Sequence, residues 1–208
     1  MLPAETASAF FLVSVLLALS PGPDNLFVLT QSAMAGPRAG LAVTGGLCTG
    51  LVVHTSAVAL GVAVLFRTSA IAFAALKFAG AAYLLYLAWL AFTAGRREKA
   101  TNSRPPAEFR RLYLRGIIMN VTNPKVSIFF LAFLPQFADP ARGALVPQIM
   151  LLGALFAVAT VLVFGSIALF AGSIGDWLVR SGTAQRLINM AAGTVFIGLA
   201  VRLLATER

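Results

Sequence analysis

Six long apolar runs, separated by short polar stretches, set the main constraint on how this chain can fold. A helix that crosses the hydrocarbon core of a bilayer needs roughly 20 apolar residues. Backbone N–H and C=O groups find no water in lipid, so segments of this kind must be helices. Only 11% of the residues are charged, whereas a soluble domain carries about 25%. The sequence therefore predicts an all-α membrane protein with six transmembrane helices, at about residues 7–34, 40–66, 70–94, 112–137, 145–172 and 184–204.

A basic loop follows the third run and orients the chain. It covers about residues 95–111 and contains six Lys or Arg residues against two Glu residues. Positively charged loops stay in the cytoplasm, so this loop is predicted to be cytoplasmic and both termini to lie outside. The first 19 residues carry Glu5 and no Lys or Arg, unlike a signal peptide, so we interpret them as part of the first span. Residues 1–208 then form one transmembrane domain.

Net charge and residue content exclude several classes of protein. In a soluble protein a net charge of +9 would suggest nucleic acid as a partner, but here the positive residues lie between membrane spans, so none is predicted. The single cysteine, Cys48, and the single histidine, His54, leave no redox pair and no cluster of soft metal ligands. A membrane enzyme needs a nucleophile–base or metal arrangement that is missing from the spans. We therefore predict no metal, no cofactor and no enzymatic activity.

The first apolar run is interrupted near its middle. The stretch "LALSPGPDNLFVLTQS" places two prolines, a glycine and Asp24 inside a predicted membrane helix. Proline removes a backbone donor and an acid is costly in lipid, so such residues indicate a functional break. The fourth run has a counterpart, because "TNPKVSIFF" aligns with "PGPDNLFVL" when Pro23 is set on Pro124. Asp24 then matches Lys125.

The two interrupted runs each open one half of the chain. With three spans per half, the second half enters the membrane upside down relative to the first. Helices interrupted at corresponding positions of two inverted halves are the best sequence pointer to the substrate site of a transporter. The predicted fold is therefore two inverted three-helix repeats, about residues 1–94 and 112–208, with helices 1 and 4 broken.

The breaks are predicted to provide backbone groups for a ligand. Proline suits the first position of a helix, so Pro23 and Pro124 are expected to begin second half-helices. Asn123 is a good N-cap for the second of these. The N–H groups and dipole of a helix start favour a carboxylate. Residues 20–22 and 121–123 are predicted to be unwound, which leaves their carbonyl groups for an ammonium group.

Charged side chains complete the candidate site. Asp24 is an acid at membrane depth, and Lys125 and Lys77 are bases there. The helix dipole disfavours a cation at the start of a half-helix, so an anionic ligand beside Lys125 would offset the conflict. An acid with nearby bases suits a small zwitterion such as an amino acid, and Asp24 would bind its ammonium group, a proton, or each in turn. The alternative is that Asp24 and a lysine only pair to hold helices together.

Small residues in the second and fifth runs have a simpler interpretation. Gly46 and Gly50 lie four residues apart, as do Gly153 and Ala157, and this spacing predicts close contact between helices. His54 is interpreted as a polar group satisfied between helices, with a proton relay as the alternative.

Three stretches resemble the LysE/RhtB family of bacterial amino-acid exporters: "SPGPDNLFVLTQS", "LKFAGAAYLLYLAWLAF" and "GIIMNVTNPKVSIFFLAFLPQF". The number of runs, the chain length and the basic loop are similar too, so the resemblance covers nearly the whole chain. The resemblance and the two breaks together give a candidate site for substrate and protons. It comprises Ser20, Pro21, Gly22, Pro23, Asp24, Asn25, Lys77, Gly80, Tyr83, Asn120, Asn123, Pro124 and Lys125.

This resemblance implies a secondary transporter, an antiporter in the bacterial inner membrane that exports amino acids or close derivatives and is driven by the proton gradient. Because Asp24 is the only acid near the midplane, small or neutral substrates such as homoserine, threonine or leucine-type amino acids are favoured over basic ones. The remaining alternatives are a channel, a structural membrane protein, and an exporter of another small zwitterionic metabolite. The expected partners are the substrate, protons and the lipid bilayer, and a homodimer is left open.

Overall fold

A computed structural model of the chain describes residues 2–20, 22–68, 108–171 and 182–205, together with isolated positions between residues 74 and 93. Every regular element in these ranges is helical. The α-helices are α1 (Ala4–Leu19), α2 (Pro23–Ala35), α3 (Pro37–Thr68), α4 (Phe109–Thr122), α5 (Pro124–Ile128), α6 (Leu145–Leu169) and α7 (Gly182–Ala205). Residues 95–107 of the predicted basic loop and most of the third predicted span lie outside the described residues, whereas residues 109–111 of that loop already belong to α4.

The first predicted span is a pair of helices with a break between them. Helices α1 and α2 are bent by 62° relative to each other. Helix α1 ends before Ser20, and Pro23 occupies the first position of α2, where its missing N–H costs nothing. Helix α2 ends at Ala35 and is followed by Gly36, whose φ of 86° is a conformation that side chains disfavour. The predicted break and the half-helix that begins at Pro23 are both confirmed.

The fourth predicted span is broken too, but more sharply than predicted. Helix α4 runs to Thr122, and only Asn123 separates it from α5, so the prediction that residues 121–123 are all unwound was wrong. A single extended residue before proline is enough, because proline disfavours helical backbone only in the residue before it. The two parts of the span are bent by 51°. After α5 the chain passes through a π-helical turn, Phe129–Phe133, and a 3₁₀ turn, Leu134–Phe137, which the sequence did not predict.

Helix α3 packs against α4 at two glycines. A Cβ atom on Gly46 would overlap the carbonyl oxygen of Tyr113 and lie 3.0 Å from the Cα of Gly116. A Cβ on Gly50 would lie 2.6 Å from the Cβ of Asn120. The second small-residue position, Gly153 on α6, lies equally close to Thr55 of α3. The predicted close contacts at these glycines are confirmed, and they bring α4 and α6 onto α3.

The packed interior contains two apolar clusters, and the outer surface is apolar as well. One cluster is rich in phenylalanine and includes Phe10, Phe129 and Phe156, while the other includes Val28 and Phe164. Many large apolar side chains point outward along the helices, for example Leu60, which is 73% exposed. A soluble protein rarely exposes contiguous apolar surface on this scale, so this surface suits lipid.

Four segments of the described chain qualify as membrane spans by length and apolar character. Residues Pro37–Gly61 of α3 and the whole of α6 qualify alone, and each bent pair qualifies as one broken span. The fold class is therefore confirmed as an all-helical membrane protein whose first and fourth spans are broken. The inverted arrangement of the two halves stays a prediction, because the third span lies mostly outside the described residues.

The α3–α4 contact gives a test of the fold. Gly46→Ala should lower the free energy of unfolding in detergent by about 1–3 kcal/mol, because the added methyl group meets backbone that cannot move aside. The matched control is Gly61→Ala on the same helix, where nothing lies within 4 Å of a built Cβ, and it should change stability by less than about 0.5 kcal/mol. Equal stability of the two variants would contradict the packing described.

Candidate functional site

The two breaks lie against each other in the interior. Asp24 and Asn25, in the first turn of α2, are both buried, as are Asn123 and Lys125 at the start of α5. Direct contacts join residues that are about 100 positions apart in the chain. The structure therefore brings the two breaks together, and a shared substrate site there stays a prediction.

Asn123 connects the two breaks through its side-chain amide. Its Nδ2 donates to Oδ2 of Asp24 at 2.9 Å, and its Oδ1 accepts from the backbone N–H of Lys125 at 3.0 Å. The second contact is an N-cap, as the sequence predicts. The Asn123 side chain thus caps α5 and also holds the carboxylate of Asp24 beside the start of that helix.

Lys125 returns across the interface to the first break. Its Nζ donates to the carbonyl oxygen of Ser20 at 2.9 Å. Ser20 follows the last residue of α1, where the helix dipole places partial negative charge. This contact offsets the conflict expected between the cation and the start of its own half-helix, and an anionic ligand beside Lys125 stays a prediction.

A small buried cavity of about 20 Å³ separates the breaks from α6. A water molecule needs about 10–15 Å³ on this scale, so the cavity is far too small for an amino acid as it stands. Its polar lining comes from both breaks and from α4 and α6, and its apolar lining comes from both core clusters. The lining residues are Leu17, Ala18, Gly22, Asp24, Asn25, Asn120, Asn123, Lys125, Val126, Phe156, Thr160 and Phe164.

Two buried oxygens on the cavity wall have no hydrogen-bond partner in the described part of the chain. They are Oδ1 of Asp24 and Oδ1 of Asn120. A buried acceptor left without a donor costs about 1–3 kcal/mol, so such atoms are usually completed by a water molecule or a ligand. An ammonium group carries three N–H donors and would satisfy both oxygens.

Asn120 is itself positioned by α3. The Nε2 atom of His54 lies 3.1 Å from the carbonyl oxygen of Asn120, and because a carbonyl only accepts, Nε2 donates. The His54 ring also packs on Phe130, with ring centroids 5.6 Å apart. Gly50 lies against the Asn120 side chain and leaves it no room to move toward α3. The interpretation of His54 as a polar group satisfied between helices agrees with these contacts.

The residues predicted for the candidate site fall into three groups. Those that line the cavity are Gly22, Asp24, Asn25, Asn120, Asn123 and Lys125. Ser20, Pro23 and Pro124 form the breaks themselves. Four further candidates, Pro21, Lys77, Gly80 and Tyr83, lie outside the described residues.

The prediction that both half-helices offer free N–H groups is corrected at α5. There the N–H groups of Lys125, Val126 and Ser127 are all bonded to Asn123, by its side chain or its carbonyl oxygen. In α2 the first N–H with a helical partner belongs to Leu26, so the N–H group of Asp24 precedes the hydrogen-bonded part of that helix. Any anion-binding helix start at this site therefore belongs to α2.

The contribution of α6 was missed from the sequence. Phe156, Thr160 and Phe164 recur every four residues and share one face of that helix, which lines the cavity opposite the breaks. Thr160 is 2% exposed and is one of few polar residues in a highly apolar helix. A lone threonine between two phenylalanines on one helix face was the signal that could have indicated this wall.

Comparison with known proteins gives the family. Residues 15–207 match the family described as LysE type translocator. The chain belongs to the LysE family. It is 37% identical over 203 residues to the homoserine/homoserine lactone efflux protein of Salmonella typhi, with 96% of each chain covered. It is 36% identical, over the same share of both chains, to the protein of the same name from Salmonella typhimurium.

A third relative of this LysE family chain is an uncharacterised membrane protein of Vibrio cholerae, which is 32% identical over 201 residues and covered to 96% in both chains. The comparison with solved structures gave no match. Membership of the LysE family identifies this chain as a membrane transporter, not an enzyme, and its substrate as a small molecule.

The link between the two breaks can be measured by a double-mutant cycle. We expect Asp24→Ala and Asn123→Ala to interact by about 1–2 kcal/mol in the free energy of unfolding, because each removes the same buried hydrogen bond. The control cycle pairs Asp24→Ala with Gln148→Ala, since Gln148 bonds to Asp139 in a different part of the protein. A coupling below about 0.5 kcal/mol in both cycles would show that the two residues act independently.

Proposed function

We propose that this chain exports small neutral amino acids or close derivatives, such as homoserine, threonine or leucine-type amino acids, across the bacterial inner membrane. The proposal includes coupling to the proton gradient and a substrate site between the two breaks. The observation that carries it is the buried cavity that contains Asp24 and Lys125 side by side with unpartnered acceptors. The names of the Salmonella relatives support homoserine and its lactone as the first substrates to test.

The charges around the cavity suit the two ends of an amino acid. The ammonium group would bind Oδ1 of Asp24 and Oδ1 of Asn120, which lack donors in the described chain. The carboxylate would bind near the ammonium of Lys125 and the start of α2, where a built Cβ on Gly22 lies 3.6 Å from Nζ. The described residues give this wall one acid and one base, so a substrate with a further charge would find no partner for it among them.

The small size of the cavity supports a carrier mechanism. A cavity of about 20 Å³ is too small for an amino acid, so binding requires its walls to move. In transporters of inverted repeats, one half rocks against the other around a fixed central site. The contacts that would break and reform are those of Asn123 with Asp24 and of Lys125 with Ser20, because they join the halves.

A channel or a structural membrane protein is the alternative, as is an exporter of another small zwitterionic metabolite. Counterflow in proteoliposomes separates these, since a carrier exchanges labelled for unlabelled substrate across the membrane when no gradient remains. A channel only lets the label run down its gradient. A panel of amino acids, homoserine lactone and other zwitterions in the same assay identifies the substrate. Oligomeric state is measured on the same purified protein.

The first prediction concerns the carboxylate. Asp24→Asn should lower exchange of homoserine at least tenfold, because an amide of nearly the same size removes the charge that binds the ammonium group or the proton. The matched control is Asp139→Asn, an exposed acid that bonds to Arg142 on the surface, and it should exchange at the wild-type rate. Unchanged exchange by Asp24→Asn would overturn the proposed role of this residue.

The second prediction concerns proton coupling. Efflux by the wild-type protein should respond to an imposed pH gradient, and Asp24→Asn should lose this response even where exchange at equal pH remains measurable. The titratable groups near Asp24 in the described chain are Lys125 on α5 and, beyond Asn120, His54 on α3. His54→Gln therefore serves as the comparison, because it keeps a donor for the Asn120 carbonyl and should keep the pH response. If wild type and Asp24→Asn respond equally to the pH gradient, a group other than Asp24 couples transport to protons.

A further inference from the structure

Helix α6 contributes a buried hydroxyl group whose hydrogen bonding differs from that of its neighbours in the fold. Buried hydroxyls in helices of this protein usually donate to the carbonyl oxygen four residues earlier. Ser14, Ser32, Thr44 and Thr55 all do so, at 2.7–2.9 Å. Thr160 is also buried, at 2% exposure, but no bond of this kind joins its hydroxyl to the carbonyl oxygen of Phe156.

The cavity of the candidate site lies beside Thr160. Thr160 lines it, on the wall that faces the breaks. A threonine hydroxyl can both donate and accept, so a ligand group of either kind could complete it. This position lies near the middle of α6, at the depth where the broken spans bring Asp24 and Asn120 together.

Two phenylalanines fix the space on either side of Thr160. Phe156 packs on Phe129 and Phe130, with ring centroids 5.5 and 5.1 Å apart, so aromatic neighbours hold its ring in place. Phe164 belongs to the second core cluster and is 5% exposed. The side chain of any ligand that reaches Thr160 must therefore be short and must fit between two fixed rings.

We propose that Thr160 binds the side chain of the substrate, and that Phe156 and Phe164 limit its length. This inference rests on the proposed function, which places the ammonium and carboxylate groups at the breaks opposite. The substrate class that follows is an amino acid with a short side chain that carries a hydroxyl group. Thr160 is then a specificity-determining residue in addition to the residues of the two breaks.

The test compares two substrates that differ in one group. Homoserine ends in a hydroxyl, whereas norvaline has a methyl group at the same place. Counterflow of each is measured with wild type, Thr160→Val and Thr160→Ser in proteoliposomes. Because valine matches threonine in shape but has no hydroxyl, Thr160→Val should lower the ratio of homoserine to norvaline exchange roughly tenfold. Thr160→Ser keeps a hydroxyl and should keep most of the wild-type ratio.

The matched control is Thr44→Val, which makes the same chemical change at a buried threonine whose hydroxyl is bonded to its own helix. It should leave the ratio unchanged. A wild-type ratio in Thr160→Val overturns this inference alone, provided that the wild type exchanges homoserine. Wild-type protein that exchanges neither amino acid overturns the proposed function and this inference with it. If Thr160→Val does not accumulate, Thr160→Ala is measured with the same two substrates, and the same loss is expected.

Discussion

The side-chain amide of Asn123 is the contact on which the arrangement of the site depends. It caps α5 through one atom and bonds the carboxylate of Asp24 through the other, so the start of one half-helix and the charge of the other break are fixed together. Lys125 adds a second connection in the opposite direction, from the start of α5 to the carbonyl at the end of α1. Each charged side chain thus contacts a helix terminus of the other span that carries the opposite partial charge. Asp24 contacts the N-cap of α5, and Lys125 contacts the C-cap of α1.

These contacts satisfy most of the polar groups that the breaks expose, but not all of them. Hydrogen bonds inside a membrane protein contribute modestly, because the alternatives in lipid also find partners. A site held by two such links can therefore open without a large cost, whereas the glycine contacts of α3 with α4 and α6 form a closely packed support beside it. The acceptor oxygens that have no donor in the described chain would gain hydrogen bonds from a ligand that enters the site. The close packing of α3 and the incompletely satisfied polar groups at the breaks together suit the carrier proposed above.

Much of this could be predicted from the sequence, because lipid leaves few choices. Long apolar runs must be helices, and Pro23 and Pro124 mark the breaks since proline cannot continue a helix without a lost bond. The features that could not be predicted are contacts made by individual side chains. That Asn123 would also bond the carboxylate of Asp24, and that Lys125 would reach back to Ser20, depends on how two distant segments meet. The wall formed by Thr160 was missed because its signal, a single threonine between two phenylalanines on one helix face, is slight in so apolar a helix.

The central claim is that substrate binds between the two breaks, and protection of a cysteine tests it most directly. In a protein whose single native cysteine is replaced by Cys48→Ser, Gly22→Cys places a thiol on the cavity wall, where a built Cβ meets its neighbours at no less than 3.6 Å. The reaction rate of this thiol with a small water-soluble reagent is measured with and without saturating homoserine. We expect the substrate to slow labelling several-fold at this position and to leave an exposed control, Arg142→Cys, unchanged. Equal labelling rates at Gly22→Cys, in protein that still exchanges homoserine, would place the substrate elsewhere.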